Sequence, residues 1–175
     1  MGRSESVYPS EKIREWYDGY RIGNANIYCP WDVINYIDLL RADAEAIEKQ
    51  FTAYLKKTIS IRDTAVRKEK KENFYHGILL GLLSYREDWD VSSNAESGTG
   101  YSDILVETED EAGIVIEIKY AENGDFERAC KEALRQIEEK GYEERLVEYG
   151  AEKIIKYGIA CWKKKCKVVM YQDEE

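Results

Sequence analysis

The stretch Gly113–Ala121, GIVIEIKYA, limits what this chain can fold into more than any other. It is the most apolar run in a polar sequence and it reads as a strand. Side chains along a strand alternate between two faces. Ile114, Ile116 and Ile118 therefore share one face, and Val115, Glu117 and Lys119 share the other. An all-isoleucine face marks a central strand, yet a carboxylate and an amine stand two positions apart on its reverse. Burying charges without partners is costly. Either another element pairs with them, or they form a site.

The neighbouring sequence supplies a partner. TEDEAG, Thr108 to Gly113, reads as a polar hairpin turn with glycine at its end. It joins a strand at Ser102–Glu107 antiparallel to Ile114–Tyr120, with a further strand from Trp89 to about Asn94. Asp103 enters at the start of one strand and Glu117 sits toward the end of its neighbour, so the two carboxylates converge. Two carboxylate ligands with an adjacent lysine suit Mg²⁺, a hard octahedral ion that keeps its waters. Lys119 would hold the attacking hydroxide and add positive charge at a pentavalent phosphorus. The structural alternatives are a strand-start cap for Asp103 and an exposed cross-strand salt bridge for Glu117 and Lys119. The apolar surroundings of the pair weigh against the latter. Glu107, Glu109, Asp110 and Glu111 read as a solvated turn.

Helical periodicity brackets this core. Asp43 caps a helix carrying Ala44, Ile47, Phe51, Tyr54, Leu55 and Ile59 at helical spacing. A second helix runs from about Thr64 to Ser84. Its latter half, FYHGILLGLLS, is apolar almost all round and is expected to be buried, with Gly77 and Gly81 letting another element approach. Glu72 and His76, the only histidine, stand one turn apart on it. Asp125 caps a third helix with the stripe Phe126, Ala129, Cys130, Ala133, Leu134 and Ile137, ended by Gly141. Gln136 borders that stripe, and Tyr142 follows the helix end within reach of the same cleft. After a short helix ending at Gly150, Lys153–Cys161 and Lys167–Tyr171 read as strands joined by a WKKK turn, whose lysines are a solvated tip or phosphate contacts. Strand, helix, strand after a hairpin gives a mixed α/β sheet with helices on its faces.

Toward the N-terminus, Ser10 caps a helix through EKIREWY. Turn signals at Asp18-Gly19 and Gly23-Asn24 flank a strand pair near Tyr20–Ile22 and Asn26–Tyr28, and Pro30 opens a helix. The chain of 175 residues is enough for one domain with a small appendage. Its net charge of −9 argues against a broad nonspecific nucleic-acid coat but leaves room for a local basic groove. The basic residues do cluster, at Lys56, Lys57, Arg62, Arg67, Lys68, Lys70 and Lys71, and again at Lys163, Lys164, Lys165 and Lys167. No apolar run approaches the roughly 20 residues needed to span a bilayer, and the first residues lack the apolar core of a signal peptide. Cys29, Cys130, Cys161 and Cys166 form no CxxC pair and are expected as buried thiols in a reducing cytoplasm.

Two stretches resemble known families. EWYDGYRIGNANIYCPWDVINYI is similar to the lid beyond the ATPase core of bacterial AAA-ATPase-like proteins. No GxxxxGK[ST] phosphate loop occurs, so no ATP site is assigned, and residues 1–42 are expected to be a remnant of that lid region, a small α+β appendage. GYSDILV followed by IVIEIKYA resembles the PD-(D/E)XK nuclease superfamily, with Asp103 as its first acid and Glu117-Ile118-Lys119 as its ExK. The similarity extends over roughly Ala44 to Tyr171, and the family's proline is replaced by Ser102. It implies a restriction-endonuclease-like α/β fold over residues 43–175, a mixed sheet flanked by helices. It implies a Mg²⁺ site, with Mn²⁺ as a substitute, on Asp103, Glu117 and Glu72, with Lys119 assisting the water and Gln136 supporting the site. The implied activity is phosphodiester hydrolysis with nucleic acid, DNA above all, as the substrate. Neither a membrane nor ATP is an expected partner; a homodimer is compatible with the sequence. The alternative is a catalytically silent nuclease-fold interaction domain left from a shortened AAA-ATPase-like protein.

Overall fold

The structure is a computed structural model and describes residues 20–22, 25–27, 38–60, 62, 70–84, 88–93, 96–97, 100–101, 104–109, 111–141 and 143–172. The turn signals near Gly19 and Gly23 frame β1 (Tyr20–Ile22) and β2 (Ala25–Ile27), which pair antiparallel with Tyr20 opposite Ile27. The helix expected after Ser10, and that after Pro30 except for a helical turn at 38–40, lie outside the described residues. That turn seats Leu39 and Leu40 in the main core, where their carbonyls accept hydrogen bonds from Tyr157 Oη (2.7 Å) and Lys153 Nζ (3.3 Å).

Helix α1 (Ala44–Thr58) begins where Asp43 accepts a hydrogen bond from the amide of Ala46, and it buries Ile47, Phe51 and Leu55. Helix α2 (Lys71–Leu83) buries one stripe, Tyr75, Leu79 and Leu83. The expected all-round burial is thereby corrected. Gly77 and Gly81 are exposed, and a Cβ built on either meets no atom within 4 Å. The helix has the sheet on one side and solvent on the other, so its remaining apolar residues (Phe74, Ile78, Leu80 and Leu82) are half-buried at the margins of the core.

The main sheet contains β3 (Trp89–Ser93), β6 (Ile104–Thr108), β7 (Ala112–Tyr120), β8 (Lys153–Trp162) and β9 (Lys165–Gln172), with β4 (Glu96–Ser97) and β5 (Gly100–Tyr101) forming a separate two-stranded ladder. Its order is β3-β6-β7-β8-β9. Only β7 and β8 are parallel, and the crossover between them carries α3 (Phe126–Lys140) and α4 (Glu143–Glu148). The alternation in GIVIEIKYA sorts the two sides. Ile114, Ile116 and Ile118 join the core with α1 and α2, while Val115 packs with Leu105, Ile137 and Leu146 beneath α3 and α4. This is the expected five-strand mixed sheet flanked by helices, with the expected central strand in its middle.

Two details of the β6–β7 hairpin differ from expectation. Gly113 does not end the turn: it lies within β7 opposite Glu107, and among the described residues of the turn Glu111 is left-handed, φ 58°. The glycine serves packing, because a Cβ there would fall 2.8 Å from Leu146 Cδ1. Glu107 is not part of a solvated turn but a half-buried strand residue 3.8 Å from Arg145 Nε. Partial burial, and then the nearby Asp90, hold its carboxyl above the usual range despite that arginine. Glu109 and Glu111 are exposed, and Asp110 lies outside the described residues.

Cys130, Cys161 and Cys166 are buried free thiols, as expected, and Cys29 lies outside the described residues. Burial raises Cys130 to about 11, Cys166 to about 12 and Cys161 well above its ordinary value of 9.0. Burial also raises the phenols of Tyr75 and Tyr157. In the unfolded chain these thiols ionise near 9 and in the folded chain they do not, so above that pH the native state binds more protons. Stability then falls as pH rises. Urea midpoints are expected to hold steady up to about pH 8.5 and drop progressively between about pH 9 and 11; a flat profile across that window would contradict the burial.

Candidate active site

Among the described residues the ladder between β6 and β7 reaches the pair Ile104–Ile116, and that between β7 and β8 reaches Tyr120–Cys161. Glu117 and Lys119 stand among the last four residues of β7. Glu117 is only 1% exposed and Lys119 14%. Lys119 Nζ donates to Glu117 Oε1 at 2.9 Å, and Gln136 Nε2 of α3 donates to the same oxygen at 2.5 Å. Room for this comes from β8, whose residues opposite Glu117 and Lys119 are Gly158 and Ala160. Gly158 lets α3 come so close that a Cβ there would lie 2.9 Å from the carbonyl oxygen of Cys130. Gln136 reaches the strand because its helix can lie this low.

Glu72 arrives from the other layer. Its Oε1 accepts a hydrogen bond from the amide of Tyr120 at 3.0 Å. The next amide, of Ala121, donates to Cys161 of β8, and successive strand amides point to opposite sides, so Glu72 occupies the edge of β7 on which β6 lies. Lys71 Nζ donates to Tyr120 Oη at 3.2 Å, and the Tyr120 ring stacks on Tyr75. Among the described residues Glu72 bonds the Tyr120 amide, whereas His76 Nε2 lies 3.1 Å from Ser93 Oγ, and Ser93 is the partner of Ile104.

Of the residues singled out from sequence, Glu117, Lys119 and Gln136 thus form one hydrogen-bonded group, and Glu72 holds the backbone one residue beyond Lys119. Asp103 and Tyr142 lie outside the described residues. Asp103 is the residue immediately before Ile104, whose partner Ile116 immediately precedes Glu117. Among the described residues no three His, Cys, Asp or Glu side chains gather closely enough to hold a metal ion. The carboxylates of Glu117 and Glu72 are hard oxygen donors of the kind Mg²⁺ and Mn²⁺ prefer. Oε2 of Glu72 makes no hydrogen bond among the described residues, so the donor chemistry fits such an ion.

A family model for the PD-(D/E)XK nuclease superfamily matches residues 70–171, more than half of the chain, from the residue before α2 into the last strand. The chain belongs to the PD-(D/E)XK nuclease superfamily. No curated protein matches it. The matched span contains Glu72, Glu117, Lys119 and Gln136. A restriction-endonuclease-like α/β fold and a nuclease type of activity follow from that membership.

The sequence reading missed Gly158. An isolated glycine within an apolar strand, as in KIIKYGIAC, is a signal of close approach by another element. It also missed the lysine–tyrosine contact of Lys71 with Tyr120, for which no local pattern exists.

Proposed function

We propose that this nuclease-superfamily protein is a metal-dependent phosphodiesterase that cleaves DNA with water as the nucleophile. The observation that carries the reading is the buried Glu117 carboxylate, held by Lys119 and Gln136 near the end of β7. A buried carboxylate in an otherwise apolar strand serves packing poorly, but it serves a cation well. Glu117, Asp103 and Glu72 would hold Mg²⁺ or Mn²⁺, which when bound supplies positive charge at the phosphoryl oxygens and makes water more acidic. Lys119 Nζ donates hydrogen bonds from a site nearly closed to solvent, where such donors act most strongly on charge developing at phosphorus. Gln136 fixes the Glu117 rotamer from α3. Water adds to phosphorus, the bond to the leaving sugar oxygen breaks, and the products are a phosphomonoester and an alcohol.

Residues 1–42 are part of the same proposal as a remnant of an AAA-ATPase-like lid whose end, Leu39 and Leu40, is seated in the nuclease core. The protein acts in the cytoplasm on this reading, in keeping with its buried reduced thiols. Among the described residues no helix is long and apolar enough to cross a membrane.

The test is cleavage of plasmid and single-stranded DNA with Mg²⁺ or Mn²⁺ by the wild type, Lys119→Ala and Asp103→Ala. Cleavage by the wild type that needs the metal and is lost in both variants is the expected result. A wild type that cleaves nothing with either ion and binds neither in calorimetry sinks the proposal in favour of a silent nuclease-fold interaction domain.

A further inference from the structure

The chain carries 35 acidic and 26 basic residues, yet one end of its sheet collects lysines. The β8–β9 hairpin turns through Lys163 and Lys164, with Trp162 opposite Lys165 at its base. The tip is tied to both helices of one layer. Tyr75 Oη of α2 donates to the carbonyl of Lys163 at 2.8 Å, and Lys164 Nζ reaches the carbonyl of Lys56 in the last turn of α1 at 3.5 Å. Lys70 and Lys71 stand at the start of α2. Among the described residues none of these six lysines is ion-paired; Lys167, held by Glu48 at 3.3 Å, is not counted with them.

Two further features point to use of the tip. Lys163 adopts φ 54°, a left-handed conformation that glycine or asparagine would take with less strain. Its ammonium lies 4.2 Å above the ring of Trp162, itself packed over Gly124. Lysine thus holds a position whose backbone favours glycine, and its charge is oriented rather than left to wander. The tip also has the right place. Lys119 stands opposite Ala160, and Trp162 is two residues farther along β8 on the same face, about 7 Å away at strand spacing.

We propose that the β8–β9 tip, with the adjoining ends of α1 and α2, is a docking surface for the phosphate backbone of a nucleic-acid strand that runs past Lys119. This rests on the nuclease reading and adds to it where the substrate lies. A backbone held by lysines is bound with little regard to sequence and with strong dependence on salt.

The experiment is anisotropy of a labelled DNA oligonucleotide with the full chain, in EDTA, over a salt series. Lys163→Gln/Lys164→Gln/Lys165→Gln is expected to bind about tenfold or more weakly at low salt, with a log–log salt slope shallower by about 3. The corresponding triple arginine variant is expected to bind as the wild type does, which separates charge from folding. The surface is overturned by wild-type affinity and slope in the glutamine variant, by arginine failing as glutamine does, or by a wild type that binds no oligonucleotide. Equally tight binding of heparin or of anionic vesicles overturns nucleic acid as the occupant. Because EDTA removes turnover, a wild type that binds through the lysines but never cleaves with Mg²⁺ or Mn²⁺ defeats the nuclease reading and leaves this surface standing.

Discussion

Glu117→Gln is expected to lower DNA cleavage by on the order of a thousandfold, the scale of losing a principal electrostatic contact at a reacting centre, while the protein stays folded. Glutamine keeps the shape and one acceptor oxygen for Lys119 and Gln136, but it removes the charge that a cation needs. A purely structural role for the pair makes a different forecast. Removing one member of a buried ion pair costs about 3–5 kcal/mol, whereas replacing both with apolar residues of similar size is often neutral or stabilising. The double variant Glu117→Leu/Lys119→Met therefore separates the two. With a site built for chemistry, the double variant keeps or gains stability in urea and has no activity. If the double variant cleaves as the wild type does, Glu117 and Lys119 are packing partners and the active site lies elsewhere.

The parts of this molecule that local sequence determines were readable. Alternation in GIVIEIKYA assigned Ile114, Ile116 and Ile118 to one layer and Glu117 and Lys119 to the other, because the period of a strand is fixed by its backbone. Asp43, Asp125 and Gly141 announced helix ends through the backbone groups they satisfy or the conformation they adopt. Gln136 could be placed on the border of an apolar stripe, although its bond to Glu117 depends on how low α3 lies. The misreadings were tertiary. Gly113 looked like turn chemistry and is a packing site for Leu146; Gly77 and Gly81 looked like packing sites and face open space. Glu107 belonged to an acidic run by sequence, and Arg145, far along the chain, is what it faces. In each case what decides is whether a neighbour from another layer is there, and no local periodicity encodes that.

Gly158→Ala turns that dependence into a measurement. The new methyl would meet the Cys130 carbonyl oxygen at 2.9 Å, with Ala133 Cβ and Leu134 Cγ each at 3.2 Å. A backbone carbonyl within a helix cannot swing aside as a side-chain tip can, so α3 has to lift. Overpacking of this kind costs about 1–3 kcal/mol, to be read as a lower urea midpoint. Gln136 lies on the same helix six residues beyond Cys130, about 9 Å along its axis, so the lift also loosens its bond to Glu117. Misplacing a positioning group by about 1 Å can cost 10²-fold in rate, and cleavage is expected to fall by roughly that factor. Alanine at Gly77 and Gly81 provides the contrast. There the methyl meets nothing within 4 Å on an exposed helix face, and each change should stabilise by about 1 kcal/mol with activity unaltered. A Gly158→Ala protein with wild-type stability and wild-type cleavage would mean that α3 is free to shift without disturbing Glu117, and the dependence of the site on the β8 glycine would be refuted.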